Sequence, residues 1–461
     1  MDESLLRKLQ SNTATPMHMP GHKRNVALAP YLRDLGAAWD ITEIDGFDNL
    51  HDARGILRDS MDRAAALWGS RWAFYLVNGS SGGILAAVRA CVKPGGTVIV
   101  GRNCHVSVYN ALVLNALTPV YVLPGDPGHG ICGPIDPRDV EQALENHPEA
   151  EAVILTSPTY DGVCSDVKAI ADVTHRHGRV LIVDQAHGAH FGFGHGFPDS
   201  AVHQGADVVI QSVHKTLPSL TQTAMLHLCS ERVSETALRR ALAMFQTTSP
   251  SYLLLASLDG CVGLLEREGD DLFTRWQQAL DKFYNRCAGL RRLKLFDCSG
   301  RDRSKIVVLT DRTTLTGSDL AELLRRQYGI EPEMASVAYA TAMTGPGDTE
   351  ETLDALADAL AAIDETAEAA EVRTLTAPSL PRMALAPHQA ELSDGEHLSP
   401  EGSAGRISGE FLWAYPPGVP LLVPGEVIDK AILDTMADYA RGGIELRSTT
   451  GLAPEKIFVR K

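Results

Sequence analysis

The stretches RVLIVDQAHGAH, residues 179–190, and DVVIQSVHK, residues 207–215, decide the fold. Each is a near-continuous apolar run rich in Val and Ile that stops abruptly in polar residues. Such runs suit strands buried on both faces of a parallel sheet. Working outward, the pattern recurs at RWAFYLV (71–77), TVIVG (97–101), PVYVL (119–123) and EAVILTS (151–157). Between these runs lie helix-type segments such as GGILAAVRACVK, PRDVEQALENH and VKAIADVTHRHG. Strand–helix alternation from about 71 to 213 predicts an α/β domain with a mainly parallel, doubly wound sheet.

Polar clusters follow the runs at Asn78–Gly83, Asn103–His105, Ser157–Asp161, Asp184–His187 and Ser212–Lys215. Open α/β sheets bind ligands beyond the carboxyl ends of their strands, so these clusters are expected to share one crevice. Beyond about residue 290, KIVVLTD (305–311) and GSDLAELLRRQYG predict a smaller α+β domain. The Ala-rich stretch ETLDALADALAAIDETAEAAEV predicts a helix, and YPPGVPLLVPGE (415–426) must be extended and turn-rich. The expected division is an N-terminal segment 1–55, a large domain 56–290 and a small C-terminal region 291–461, with a linker near 370–400.

Composition excludes several classes of function. The formal charge of −16 over 461 residues argues against a nucleic-acid partner or an anionic membrane surface. No run approaches the roughly 18 apolar residues of a membrane span, and the polar start MDESLLRKLQSN has no signal-type apolar stretch. A soluble, cytoplasmic chain is expected. Its eight cysteines contain no CxxC pair, so they are expected to be mostly small buried hydrophobes rather than metal ligands or disulfides.

Lys215 lies just after an apolar run, where a lysine amine can form an imine with pyridoxal 5'-phosphate. A lone "HK" would be an ordinary surface lysine; its neighbours argue otherwise. Asp184 ends another run, where a buried carboxylate can keep a pyridine nitrogen protonated, although capping a loop is the blander role. His187 can reach the phenolic oxygen of such a cofactor, and His105 can stack on its ring. Ser80, Ser81 and Gly82 of NGSSGG (78–83), together with Ser212 and His214, offer hydroxyls, backbone N–H groups and an imidazole to a phosphate. The close pairs His187/His190 and His175/His177 suggest a metal instead, but they lack the helical HExxH spacing and a third ligand, so no metal is expected.

In order along the chain, NGSS, RNCH, SPTYDG, VDQAHGAHF, QSVHKTLPSLTQ and TTSPSYLLLASLD resemble the Orn/Lys/Arg decarboxylase family. TPMHMPGHKRN (15–25), ITEIDGFDNLHDARGIL (41–57) and GRISGEFLWAYPPGVPLLVPGE (405–426) extend the resemblance over about residues 10–430. It implies an aspartate-aminotransferase-like fold (pyridoxal fold type I) and the short form of the family, without an N-terminal receiver-like domain. It further implies that Lys215 carries the cofactor, with Asp184 at the pyridine nitrogen, His105 stacked and His187 near the phenolic oxygen. Ser80, Ser81, Ser212 and His214 would bind phosphate. Thr247 would reach the phosphate of a neighbouring subunit, making a homodimer or higher homo-oligomer.

The resemblance also implies decarboxylation of a basic L-amino acid, with arginine ahead of lysine or ornithine. Three positions depart from the family pattern: Gln185 stands where Glu is usual, Val106 where Lys is common, and Cys261 near where an Arg is common. They leave open a repurposed enzyme performing transamination, elimination or oxidation, and more remotely a non-catalytic regulator. The distal cation of the substrate needs an acidic or polar acceptor, for which Glu43, Asp45, Asp48 and Glu410 are candidates.

Overall fold

The computed structural model describes residues 4–28, 30–372, 380–391, 394–415 and 419–461. Residues 373–379 and 392–393 of the expected linker, and 416–418 of the Pro/Gly run, lie outside the described residues. The chain forms two compact units, one of residues 1–91 and 180–274, the other of 92–179 and 275–461.

All six apolar runs are strands: β1 (Trp72–Leu76), β2 (Thr97–Gly101), β3 (Thr118–Val122), β4 (Ala150–Thr156), β5 (Val180–Asp184) and β6 (Val208–Gln211). A seventh, β7 (Ala224–Leu228), was not expected from the sequence. In the first unit β7 runs antiparallel to both β1 and β6, while β5 and β6 are parallel. The sequence AMLHL hides this strand because His227 interrupts the apolar run. That ring is fully buried, tilted against Trp68 and hydrogen-bonded at both nitrogens, so tertiary contacts override the local pattern.

The helix Gly79–Cys91 starts directly after β1. A Cβ on Gly83 would lie 2.5 Å from Leu76 Cδ1 and 3.1 Å from Ile210 Cγ2. Only glycine lets the first turn of this helix lie so close to β1 and β6, and that approach brings Ser80 against the end of β6. The helix Ile56–Trp68 buries Leu57, Met61, Ala64, Ala65 and Trp68 on one face. It ends at Gly69, whose left-handed φ of 72° suits glycine.

The helix Leu5–Ser11 is fastened by Asp259, a buried carboxylate in the motif SPSYLLLASLD. Asp259 accepts from the Leu5 N–H at 2.9 Å and the Ser60 hydroxyl at 2.6 Å, and pairs with Arg63. Asp259→Ala leaves those donors without an acceptor and is expected to cost about 3–5 kcal/mol of stability. Thermal unfolding checks this, with Asp259→Asn expected to lose less.

In the second unit, β2 pairs in parallel with both β3 and β4. The expected α+β region is present as a four-stranded antiparallel sheet built on Lys305–Leu309 and Tyr339–Met343. The helix Gly317–Tyr328 carries a Thr316/Asp319 capping box and ends at Gly329. The Ala-rich helix is shorter than its composition suggests, spanning Glu350–Thr366. Residues 367–370 turn extended because Glu368 and Ala370 pair with Thr314 and Arg312, which outweighs alanine's helix preference. Near the C-terminus, Leu412, Leu422, Ile428, Ile432, Met436, Ile457 and Val459 form a core of their own.

All eight cysteines are free; Cys104, Cys261 and Cys287 are buried and the other five are only partly so. Fewer are therefore fully buried than expected. Among the described residues, no helix is long and apolar enough to cross a membrane.

Candidate active site

The first unit assembles most of the expected residues. Lys215 lies in the short helical turn Val213–Thr216, immediately after β6, and its Nζ is 2.8 Å from His187 Nε2. Asp184 is the last residue of β5 and is buried, with Oδ1 accepting the Ala186 N–H at 3.1 Å. Because β5 and β6 are parallel neighbours with Asp184 opposite Ile210, the two strand ends deliver the carboxylate and the lysine turn to the same edge. Ser80 and Ser212 share a hydrogen bond of 2.7 Å between hydroxyls at the start of the helix Gly79–Cys91.

This donor set fits pyridoxal phosphate. Two neighbouring hydroxyls at the N-terminus of a 13-residue helix suit a phosphate, a lysine amine suits an aldehyde, and a buried carboxylate suits a pyridinium. Ser81 is exposed and Gly82 buried in the same first turn. His214 is held by the Thr223 carbonyl, to which Nδ1 donates at 2.7 Å, and burial lowers its pKa, so Nε2 of the neutral ring is an acceptor and can donate to a phosphate only once the ring is protonated. Thr247 is exposed; its N–H donates to Asn78 Oδ1 at 3.4 Å and its carbonyl faces His51 Nε2 at 2.9 Å.

His105 belongs to the second unit, as N-cap of the helix Val106–Leu114. Its Nδ1 accepts from the Ser107 N–H at 3.2 Å and lies 2.9 Å from the Ser107 hydroxyl, which fixes the ring's direction. Among the described residues no cluster of three His, Cys, Asp or Glu can hold a metal. His190 of the HGAH motif is buried edge-on between Phe191 and Phe197.

Two of the four substrate candidates have structural work instead. Asp48 caps the turn that leads into the helix Ile56–Trp68, accepting backbone N–H groups from Asn49 and Arg54 on Oδ1 and from Gly55, Leu57 and Arg58 on Oδ2. These bonds lower its pKa against the opposing effect of burial. Glu410 is fully buried, and its carboxylate takes the Thr450 N–H at 3.0 Å, the Thr450 hydroxyl at 2.8 Å and the Phe458 N–H at 2.6 Å. Asp48 is fully engaged by five N–H groups and Glu410 is buried with three donors on it, so neither is open to a substrate cation. Asp45 is exposed, and Glu43 keeps a buried Oε1 without a hydrogen-bond partner among the described residues.

Residues 5–308 match the family model for the major domain of Orn/Lys/Arg decarboxylases, and residues 370–443 match the model for their C-terminal domain. The chain belongs to the Orn/Lys/Arg decarboxylase family. A curated arginine decarboxylase of Halalkalibacterium halodurans is 34% identical over 450 residues, covering 93% of this chain and 91% of that protein. The arginine decarboxylase of Bacillus subtilis is 33% identical over 440 residues, covering 92% and 90%. Among solved structures, a lysine decarboxylase of Francisella novicida superposes with a TM-score of 0.83 at 17% identity, over 99% of this chain and 81% of that one. The fold is thus of the expected aspartate-aminotransferase-like class.

For this decarboxylase-family chain, the departure at Gln185 has a structural account. Its Oε1 accepts from Gln211 Nε2 at 2.8 Å and the Ser200 hydroxyl at 2.9 Å, doing as an acceptor what a carboxylate would do there. Nothing in the structure explains Val106. Cys261 is buried, and desolvation pushes its thiol up to about 12.

Asp161 of SPTYDG is also buried, bonded to the Tyr339 hydroxyl at 3.1 Å and the Thr341 hydroxyl at 3.3 Å. Burial pushes its pKa from 3.8 to about 6, against the hydroxyl donors and Arg301. The folded chain therefore binds more protons than the unfolded one between those values, and stability falls as pH rises through that window. The expected loss is about 3 kcal/mol, and Asp161→Asn removes the slope. Denaturant midpoints measured across that pH range check it.

Proposed function

We propose that this chain decarboxylates a basic L-amino acid, L-arginine ahead of lysine or ornithine, using pyridoxal phosphate held on Lys215. The carrying observation is the Lys215–His187 contact at 2.8 Å, beside the paired Ser80 and Ser212 hydroxyls, in a family of basic amino-acid decarboxylases. The arginine preference rests on relatives of 33–34% identity that are named arginine decarboxylases.

Bound there, pyridoxal phosphate supplies an aldehyde that links to amines and a ring that withdraws electrons from the bond to be broken. Asp184 holds the proton on the pyridine nitrogen. Ser80, Ser81, Gly82, Ser212 and His214 hold the phosphate, and His187 orients the lysine amine and the phenolic oxygen. His105 is the residue that would stack on the ring. The substrate carboxylate leaves as carbon dioxide, and a proton from Lys215 or His105 takes its place at Cα. Glu43 and Asp45 remain as acceptors for the distal cation.

The homodimer belongs to the same proposal, with Thr247 reaching a partner's phosphate and residues 1–55 contributing to the interface. Met17, Met19, Leu28, Tyr31 and Leu35, exposed at 89%, 60%, 75%, 76% and 68%, support a covering partner copy. A cytoplasmic location fits this chemistry.

A panel of arginine, lysine and ornithine, followed by amine and carbon dioxide together, tests the reaction. Equimolar amine and carbon dioxide are expected, fastest with arginine. Keto acid or peroxide without carbon dioxide would sink the decarboxylase reading.

A further inference from the structure

Behind Asp184 and Lys215 runs a buried chain of polar side chains that the proposed chemistry does not use. Gln185, Ser200, Gln211 and His227 are each at most 1% exposed, in the same unit as both residues. The Ala201 N–H points at the Gln185 carboxamide at 3.4 Å, so the atom facing it is the oxygen, Oε1. That oxygen also accepts from the Ser200 hydroxyl, and it requires Gln211 to turn its NH2 toward Gln185, at 2.8 Å. Gln211 Oε1 is then left facing His227 Nε2 at 3.2 Å.

An amide oxygen only accepts, so His227 carries its proton on Nε2, and Nδ1 lies 3.0 Å from the Ser70 hydroxyl. Burial lowers the pKa of His227 to about 3, so the ring is neutral at working pH and offers a single N–H. The orientation of both glutamine amides and of the His227 ring is thereby fixed. Four buried polar side chains are costly to keep in a core unless they do something apolar residues cannot.

Their place in the sequence supplies the reason. Gln185 follows Asp184, and Gln211 precedes Ser212 and the turn bearing Lys215. The β5–β6 ladder has its last backbone bond between the Gln185 N–H and the Ile210 carbonyl at 2.8 Å. Beyond it the two chains part, into the loop 185–191 and the turn 212–216. The Gln185–Gln211 bond spans that point of divergence.

We propose that Gln211 is a positioning residue for the reaction: clamped between Gln185 and His227, it fixes the spacing between Asp184 and the Ser212–Lys215 turn. It touches neither substrate nor cofactor. The inference rests on the reading that Lys215 and Asp184 hold the cofactor.

The test compares holoenzymes by visible circular dichroism of the bound cofactor, cofactor dissociation constant, and kcat and KM. In Gln211→Met the dichroic band falls about threefold and kcat about tenfold, while KM stays within about twofold. Gln211→Glu is the sharper variant. As an anion its side chain cannot donate to Gln185 Oε1; protonated, it can. Its band and kcat, each relative to wild type at the same pH, are expected to be low near about pH 8 and to recover toward about pH 6.

Variants with wild-type band, affinity and kcat but a lowered melting temperature would overturn the proposal, leaving Gln211 as core packing. A pH-independent defect in Gln211→Glu would also overturn it. Were Gln211→Met not to fold, the pH recovery of Gln211→Glu still decides. A wild-type protein showing no dichroic cofactor band at all would defeat the Lys215 reading itself, a failure visible before any variant is made.

Discussion

Lys215→Ala is expected to reduce decarboxylation by about four orders of magnitude, the scale on which loss of a covalent catalytic group acts. Two functions go at once. The cofactor loses its covalent anchor, and one of the two groups proposed to return a proton to Cα is gone. The fold should be little affected, because Lys215 sits in a four-residue turn, half-buried, on a unit whose core lies elsewhere. Steady-state carbon dioxide release and far-ultraviolet circular dichroism, measured together, separate loss of chemistry from loss of structure. Activity within about tenfold of wild type would contradict the role given to Lys215.

Asp184→Ala carries the second largest effect. A buried carboxylate beside a pyridine nitrogen keeps that nitrogen protonated, and an uncharged ring accepts electrons far less readily. A fall in kcat of about a thousandfold is expected, equivalent to about 4 kcal/mol of transition-state stabilisation. Retention of the cofactor should weaken by at least about tenfold, since a charge-assisted hydrogen bond is lost. Asp184→Glu keeps the charge but moves it by a methylene, so it should retain the cofactor better than it retains turnover. Equal activity in Asp184→Ala and wild type, measured at saturating cofactor, would contradict the assignment.

Much of this site can be read from the chain because its parts lie at strand ends. An apolar run that stops at a polar residue marks both the strand and the place where a side chain emerges. Asp184 and the Ser212–Lys215 turn are legible for that reason, and the motif order along the chain gave the family. The glycines of NGSSGG were also legible, although Gly83 proves to serve helix packing against Leu76 and Ile210 rather than an anion.

What escaped depends on partners far away in sequence. Glu410 reads as a free acid until Thr450 and Phe458 close around it. Asp48 reads the same way until the next ten residues turn back to place five N–H groups on it. β7 is masked by His227, whose burial is made possible by Ser70 and Gln211. The buried chain through Gln211 leaves one trace only, a polar residue ending an otherwise apolar strand.

The central claim, that Lys215 carries the cofactor, is tested most directly by trapping the linkage. Holoenzyme treated with borohydride, digested and mapped by mass spectrometry should show one pyridoxyl-phosphate addition, on the peptide containing Lys215, and none after Lys215→Ala. A reduced adduct on another lysine, or none in active enzyme, would contradict the account.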